Sequence, residues 1–274
     1  RPLYVSGSIG PSNYVVSSTQ ADLSKATFRQ IVENSYRQVL GLVKGEVDIL
    51  LFETQQDILE LKAELIGARK ALDEMKTDIP IMVQVTVDEF GKMQIFNTDV
   101  HSAYVAVAGM GIDVFGLNCN VGPVEMHATV ERLSKLCDHP MSFVPNAGQP
   151  VSEDGKTCYK LKPEEMADAI EPFVKSFGAA IVGGCCGTTP EHIRAVRERL
   201  REFSPRIRKL DQRVYLSGPQ ETVLLEGSQA LVRIGERLNA RGSKKVREAV
   251  EGGDDIRMDI LEEVVSEQVV DLGL

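Results

Sequence analysis

The sequence predicts an α/β fold: an incomplete (β/α)8 TIM barrel of about six βα units, followed by the first unit of a second βα barrel. Three observations predict it. Short apolar runs alternate with amphipathic stretches over the first 200 residues. The runs are rich in Ile, Val and Leu with little polar alternation, which marks strands buried on both faces of a parallel sheet. The pattern breaks after Pro205 and restarts near residue 229. A doubly wound open sheet fits the same alternation. The start of the chain, at Arg1-Pro2-Leu3 without a Met, favours a barrel that lacks its first two strands.

Residues 3–7 read as a buried first strand, and helical spacing of Phe28, Ile31, Val32, Val39 and Leu40 predicts a helix over 25–43. Strands follow at 48–52, 80–85, 113–117, 142–144 and 179–183. Between them fall helices at 56–75, 98–109, 122–137 and 163–177. Thr189-Pro190-Glu191 opens a last helix, with Thr as cap and Pro at the first helical position. Residues 1–205 thus form the first module. Residues 206–228, punctuated by Pro, Gly and Ser, read as a linker in which 213–217 and 222–225 pair as a hairpin. Residues 229–274 begin a second module, with a strand at 230–234 and helices at 244–251 and 256–272. The chain ends inside that pattern, so both ends are expected to be cut.

Composition narrows the function. The 274 residues are 43% hydrophobic and 26% charged, a globular balance rather than a disordered one. The 31 Lys and Arg against 40 Asp and Glu give a net charge of −9. That sign, with no basic patch, argues against nucleic acid and against polybasic membrane docking. No apolar run is long enough to span a bilayer, and no secretion signal opens the chain. Five Cys, an odd number, do not read as a disulfide scaffold. The expected compartment is the reducing cytoplasm.

Three of those cysteines follow strands. Cys119 follows the fourth, and Cys185 and Cys186 follow the sixth in Gly183-Gly184-Cys185-Cys186-Gly187-Thr188-Thr189-Pro190. In parallel βα folds the working face is at the C-terminal ends of the strands. Neighbouring residues of a strand point to opposite faces, so the pair meets one ion only if the chain leaves strand geometry; the surrounding glycines permit this. Three thiolates with an open fourth position suit a catalytic zinc. Such a centre is electron-rich and suited to an incoming thiol, which it deprotonates while leaving it nucleophilic. The reaction this suggests is alkyl transfer to sulfur. Packing of Cys185 and Cys186 as apolar groups, or a vicinal disulfide, is the alternative. Cys137 and Cys158 read as structural, and His101, His127, His139 and His192 as surface residues. Glu53, at the end of the second strand, suits either a substrate ammonium or the start of the next helix. Asn118 and Asn146 suit either substrate contacts or turns.

These residues resemble the homocysteine S-methyltransferase family. The Gly-Gly-Cys-Cys-Gly-Thr-Thr-Pro-Glu-His-Ile string at 183–193 and Gly116-Leu117-Asn118-Cys119 look like its zinc motifs. Gly7-Ser8-Ile9-Gly10-Pro11, Phe52-Glu53-Thr54 and Pro145-Asn146-Ala147-Gly148 match in order, so the resemblance covers about residues 1–200. Two strands with an Asp-Gly signature that open the family's barrel have no counterpart, and Phe96-Asn97-Thr98 stands where the family usually has Gly. The run from Ile234 to Lys244 resembles the first strand and loop of a pterin-binding domain. A homocysteine module followed by a folate module is the order of the family's cobalamin-dependent, methionine-forming members.

The resemblance implies zinc on Cys119, Cys185 and Cys186, and homocysteine as substrate, its amino group on Glu53 with Asn118 and Asn146 nearby. It implies Asn239 facing a pterin. The methyl donor would be methylcobalamin, recharged from methyltetrahydrofolate and carried by a cobalamin domain absent from this chain. The chain alone is then expected not to turn over. A cobalamin-independent donor (betaine or S-methylmethionine) and a purely structural zinc site are the alternative readings.

Overall fold

A computed structural model describes residues 2–18, 26–153, 155–225, 243–251, 260 and 262–264. The chain divides into two compact units, Arg1–Leu224 and Leu225–Leu274.

The first unit alternates strands and helices: β1 (Ser6–Ile9), α1 (Phe28–Lys44), β2 (Ile49–Gln55), α2 (Ile58–Met75) and β3 (Ile81–Val85). A short antiparallel ribbon, β4 (Lys92–Met93) with β5 (Thr98–Asp99), leads into α3 (Val100–Val107). Then come β6 (Val114–Asn118), α4 (Pro123–Leu136), β7 (Met141–Val144) and a second ribbon of β8 (Val151–Glu153) and β9 (Lys156–Cys158). The series continues with α5 (Pro163–Lys175), β10 (Ile181–Val182), α6 (Pro190–Arg199) and a hairpin of β11 (Val214–Ser217) and β12 (Thr222–Leu225).

Strands β1, β2, β3, β6, β7 and β10 form one parallel sheet in that order. Each main strand therefore lies beside its predecessor, as in a singly wound βα series. A doubly wound sheet reverses order at a switch point, so that alternative is excluded. No pairing joins β1 to β10 among the described residues, and the sheet ends in two edges. Phe52, Phe115 and Phe143, one from each of β2, β6 and β7, are fully buried under Leu61, Leu65, Leu133 and Phe173 of the helices. Each such side chain contributes roughly 1.5–3 kcal/mol by leaving water. Strands β6 and β7 pair at Gly116, where an added Cβ would lie 1.7 Å from the Ser142 carbonyl oxygen.

Local chemistry sets the helix starts. Asp57 accepts from the Leu59 amide at 2.9 Å, and Asp99 from the His101 amide at 2.9 Å. Thr27 and Gln30 form a reciprocal capping box. Pro123, Pro163 and Pro190 occupy first turns.

Three boundaries differ from expectation. The first strand is Ser6–Ile9, at the edge of the sheet, and Leu3, Tyr4 and Val5 ahead of it are exposed. The helix expected from 98 starts at Val100, since Thr98 and Asp99 pair with β4. The last strand shortens to two residues before the glycine turn. Residues 206–224 are bound to the sheet module. Arg208 donates to the carbonyls of Cys137 and His139, Thr98 Oγ1 to Pro219 at 2.7 Å, and the Asp99 amide to Gln220 at 2.7 Å.

In the second unit α7 (Lys244–Val250) is capped by Ser243 and buries Val246 and Ala249. The expected strand at 230–234, Asn239, and most of the helix at 256–272 lie outside the described residues.

Candidate metal centre

The C-terminal ends of β6 and β10 bring three thiols together. Strand β6 stops at Asn118, and Cys119 and Asn120 both take left-handed backbone, φ 62° and 63°. Non-glycine residues seldom do so, and such strain gathers at functional sites. The turn is held by Cys119 N donating to the Val144 carbonyl at 3.1 Å, and by Asn120 Nδ2 donating to the Val87 carbonyl at 2.9 Å.

The second arm is braced along its length. Cys185 N donates to the Pro145 carbonyl at 2.8 Å, and Cys186 N to Asn146 Oδ1 at 3.1 Å. The Cys186 carbonyl accepts from Ala147 N at 2.9 Å, and that of Cys185 from Thr188 Oγ1 at 2.7 Å. With Gly187 at φ 77° the chain leaves strand geometry, so adjacent cysteines share one side.

The Cys119 and Cys186 sulfurs are 3.6 Å apart, those of Cys185 and Cys186 3.9 Å, and all three lie within 4.8 Å of one another. Zinc held at about 2.3 Å by sulfurs at tetrahedral corners sets them about 3.8 Å apart. The donor set therefore fits a soft tetrahedral cation. Burial and the neighbouring thiols push Cys185 up to about 12, and burial, with Cys186, raises Cys119. Three thiolates this close repel, and a cation is what permits them to ionise together.

Glu53 stands at the same end of the sheet, half-buried. It accepts from Ser8 Oγ, and from Asn118 Nδ2 at 3.4 Å. Buried Asn118 also ties down Thr54: its Oδ1 accepts from Thr54 N at 2.8 Å and its Nδ2 donates to Thr54 Oγ1 at 2.9 Å. Its amide thus locks the ends of β2 and β6 beside Cys119. Asn146 is likewise buried, its Oδ1 taken by the Cys186 amide.

The surface reading of the histidines is corrected, because none of the four is exposed. His192 is buried: its Nδ1 accepts from Thr189 N at 3.2 Å, and its Nε2 donates to the Leu161 carbonyl at 2.8 Å. Its place three residues after Thr189 is a capping position, a signal present in the sequence. His127 packs on Phe173 and Phe177, and His139 on Tyr104. His101 is half-buried, with Nε2 out of solvent. Cys137 is buried, as a structural thiol should be. Ser8 and Thr54 lie inside the motifs at 7–11 and 52–54, whereas Tyr159, whose ring covers Gly187, joins the site without any motif that marks it.

A parallel α/β sheet with three convergent thiols at its C-terminal rim presents a donor set that could hold a soft metal ion. The chain belongs to the homocysteine S-methyltransferase family, which matches residues 1–200. It is 38% identical over 253 residues to methionine synthase of Mycobacterium leprae (strain TN), and 36% identical over 251 residues to methionine synthase of Mycobacterium tuberculosis (strain ATCC 25618 / H37Rv). These matches take in 90% and 91% of this chain, which spans 20% of the length of each relative. The fold resembles the homocysteine methyltransferase MmuM from Escherichia coli. Its apo form has TM-score 0.54 and 23% identity over 72% of this chain and 62% of that one. Its metallated form has TM-score 0.52 over 72% and 61%. Among the described residues no helix is long and apolar enough to cross a membrane.

Proposed function

We propose that the first module receives a methyl group onto the sulfur of homocysteine, forming methionine, with zinc held by Cys119, Cys185 and Cys186. One observation carries the reading: three sulfurs within 4.8 Å at the strand ends of a homocysteine S-methyltransferase fold. Zinc in such a trio acidifies a thiol at its fourth position and leaves the sulfur nucleophilic. The chain's own groups do the rest. Glu53 takes the substrate ammonium, its carboxylate aimed by Ser8 and Asn118. Asn146 supports the turn that presents Cys185 and Cys186. The thiol proton leaves to solvent, and the sulfur would take the methyl carbon as the donor's bond to that carbon breaks, its electron pair staying with the donor.

The donor in this reading is methylcobalamin, recharged from methyltetrahydrofolate. The likeness to methionine synthases along 90% of the chain, past residue 200, supports it over betaine or S-methylmethionine. So does the run from Ile234 to Lys244, in which Asn239 would face a pterin. Residues 1–205 are then the homocysteine module, 206–228 the connection and 229–274 the start of a pterin-binding module. Thiols kept reduced for metal belong in the cytoplasm.

Co²⁺ loaded into the full chain tests the metal step. Added homocysteine should change the visible spectrum as a fourth thiolate enters, and Cys185→Ala should lose both metal and spectrum. Unchanged metal content and homocysteine binding in that variant would overturn the reading. A metal that binds but ignores added thiol would favour the structural site.

A further inference from the structure

The turn between β11 and β12 walls a cleft that the metal centre does not use. The cleft holds about 860 Å³, within the range of small-molecule sites. Its apolar lining is Ile58 and Leu59 from the first turn of α2, Phe96 from the loop between β4 and β5, Ala106 of α3, and Pro219 of the turn. Neither the three cysteines nor Glu53, Asn118 or Asn146 line it. The wall is fixed by hydrogen bonds. Ser102 Oγ donates to the Gly218 carbonyl at 2.5 Å, and Thr98 Oγ1 to the Pro219 carbonyl at 2.7 Å. The cleft is therefore built by packing within the first unit.

The charged side chains that line it are Asp57, Lys62 and Glu221. Both carboxylates are already engaged. Asp57, 2% exposed, accepts from the Ser17 amide at 2.8 Å, the Leu59 amide at 2.9 Å and the Ser17 hydroxyl. Glu221 pairs with Lys92 at 3.4 Å. Half-buried Lys62 has neither an ion pair nor a hydrogen bond among the described residues. An ammonium beside apolar walls is less screened than one on an open surface, so it favours a counter-charge.

We infer that this cleft binds a small amphipathic monoanion, with its acid group on Lys62 Nζ and its apolar body against Ile58, Leu59, Phe96 and Pro219. The uncompensated charge sets the sign of the ligand, and the lining sets the character of its body. The inference does not depend on the zinc reading.

The chain contains no Trp, so Phe96→Trp places a sole reporter in the cleft. Titration of the full chain carrying Phe96→Trp with 4-biphenylacetate should give a saturable shift in Trp emission. The neutral twin, 4-biphenylacetamide, should bind about tenfold more weakly, the effect of one hydrogen bond to a charged group. Adding Lys62→Gln should weaken the acid about tenfold and leave the amide unchanged, with the same far-UV circular dichroism. Isothermal titration of the unsubstituted chain should rank the two ligands in the same order, a comparison that needs no variant to fold. Equal binding of acid and amide to the unsubstituted chain would overturn the inference. So would the absence of a saturable signal for the acid, or a folded Lys62→Gln chain that binds it as before. Equal weakening of acid and amide by Lys62→Gln would also overturn it, since that is loss of packing and not of charge.

Discussion

Two groups of ionisable side chains in the first unit are driven toward their neutral forms by burial, and only one of them brings three donor atoms together. On α2, Glu60 and Glu64 stand one turn apart, 1% and 4% exposed. Burial raises both, Glu64 to about 9. Glu60 accepts from the Ser12 amide at 2.7 Å, while Glu64 Oε2 and both amide atoms of Gln55 lack hydrogen-bond partners. At the strand ends, burial raises Cys119 and Cys185 as well. There the sulfurs converge and remain open to solvent. An enclosed acid resolves its desolvation by keeping its proton. A convergent, accessible trio can instead exchange protons for a soft cation. Convergence with access separates a site from a buried charge.

The hardest test of that contrast sets two cysteines against each other. Cys185→Ala should weaken Zn²⁺ binding at least about a hundredfold in equilibrium dialysis, more than loss of a supporting contact usually costs. Cys137→Ala should bind as the parent does, although burial pushes that thiol up to about 12 too. If both variants bind zinc fully, convergence is not what makes the site.

A second measurement varies pH. Each ligand must give up its proton to bind, so zinc affinity should rise with pH between 6 and 8, by at least roughly tenfold per unit. Competition against a chelator of known pH dependence reads this; a flat profile would mean the thiols are not the ligands.

The effect of Asn146→Ala should be smaller. It frees the Cys186 amide but leaves all three sulfurs in place, and zinc affinity should fall about tenfold.

The smallest effect is on the other side of the comparison and concerns stability only. Glu64 has a folded-state pKa above its unfolded one, so the folded chain binds the extra proton. Its contribution is complete below the ordinary carboxylate range and is lost as pH rises toward about 9. Urea midpoints should therefore drop from pH 5 to pH 8. Glu64→Gln should flatten the trend and add on the order of 1 kcal/mol at pH 8. A parent chain whose stability is level across that range would show that Glu64 is solvated.

Much of this was legible in the sequence. Ile, Val and Leu runs between amphipathic segments mark buried strands because burial on both faces leaves no room for polar alternation. The glycines around Cys185 and Cys186 announce a departure from strand geometry, and Thr189-Pro190 a helix start; both are local effects, carried by the residues themselves. Neither the strand order nor the edges left at β1 and β10 is local, and only the sheet decided them. The sequence also could not show that Asn118 would brace Thr54, or that Tyr159 would cover Gly187, since those partners lie 64 and 28 residues apart. Left-handed backbone at Cys119 and Asn120 was equally hidden, because no glycine marks it and the surrounding hydrogen bonds impose it. Residue type and spacing determined which atoms were capable of chemistry. Packing across distant strand ends decided which of them meet, because an enclosed fold positions side chains by contacts that sequence proximity does not record.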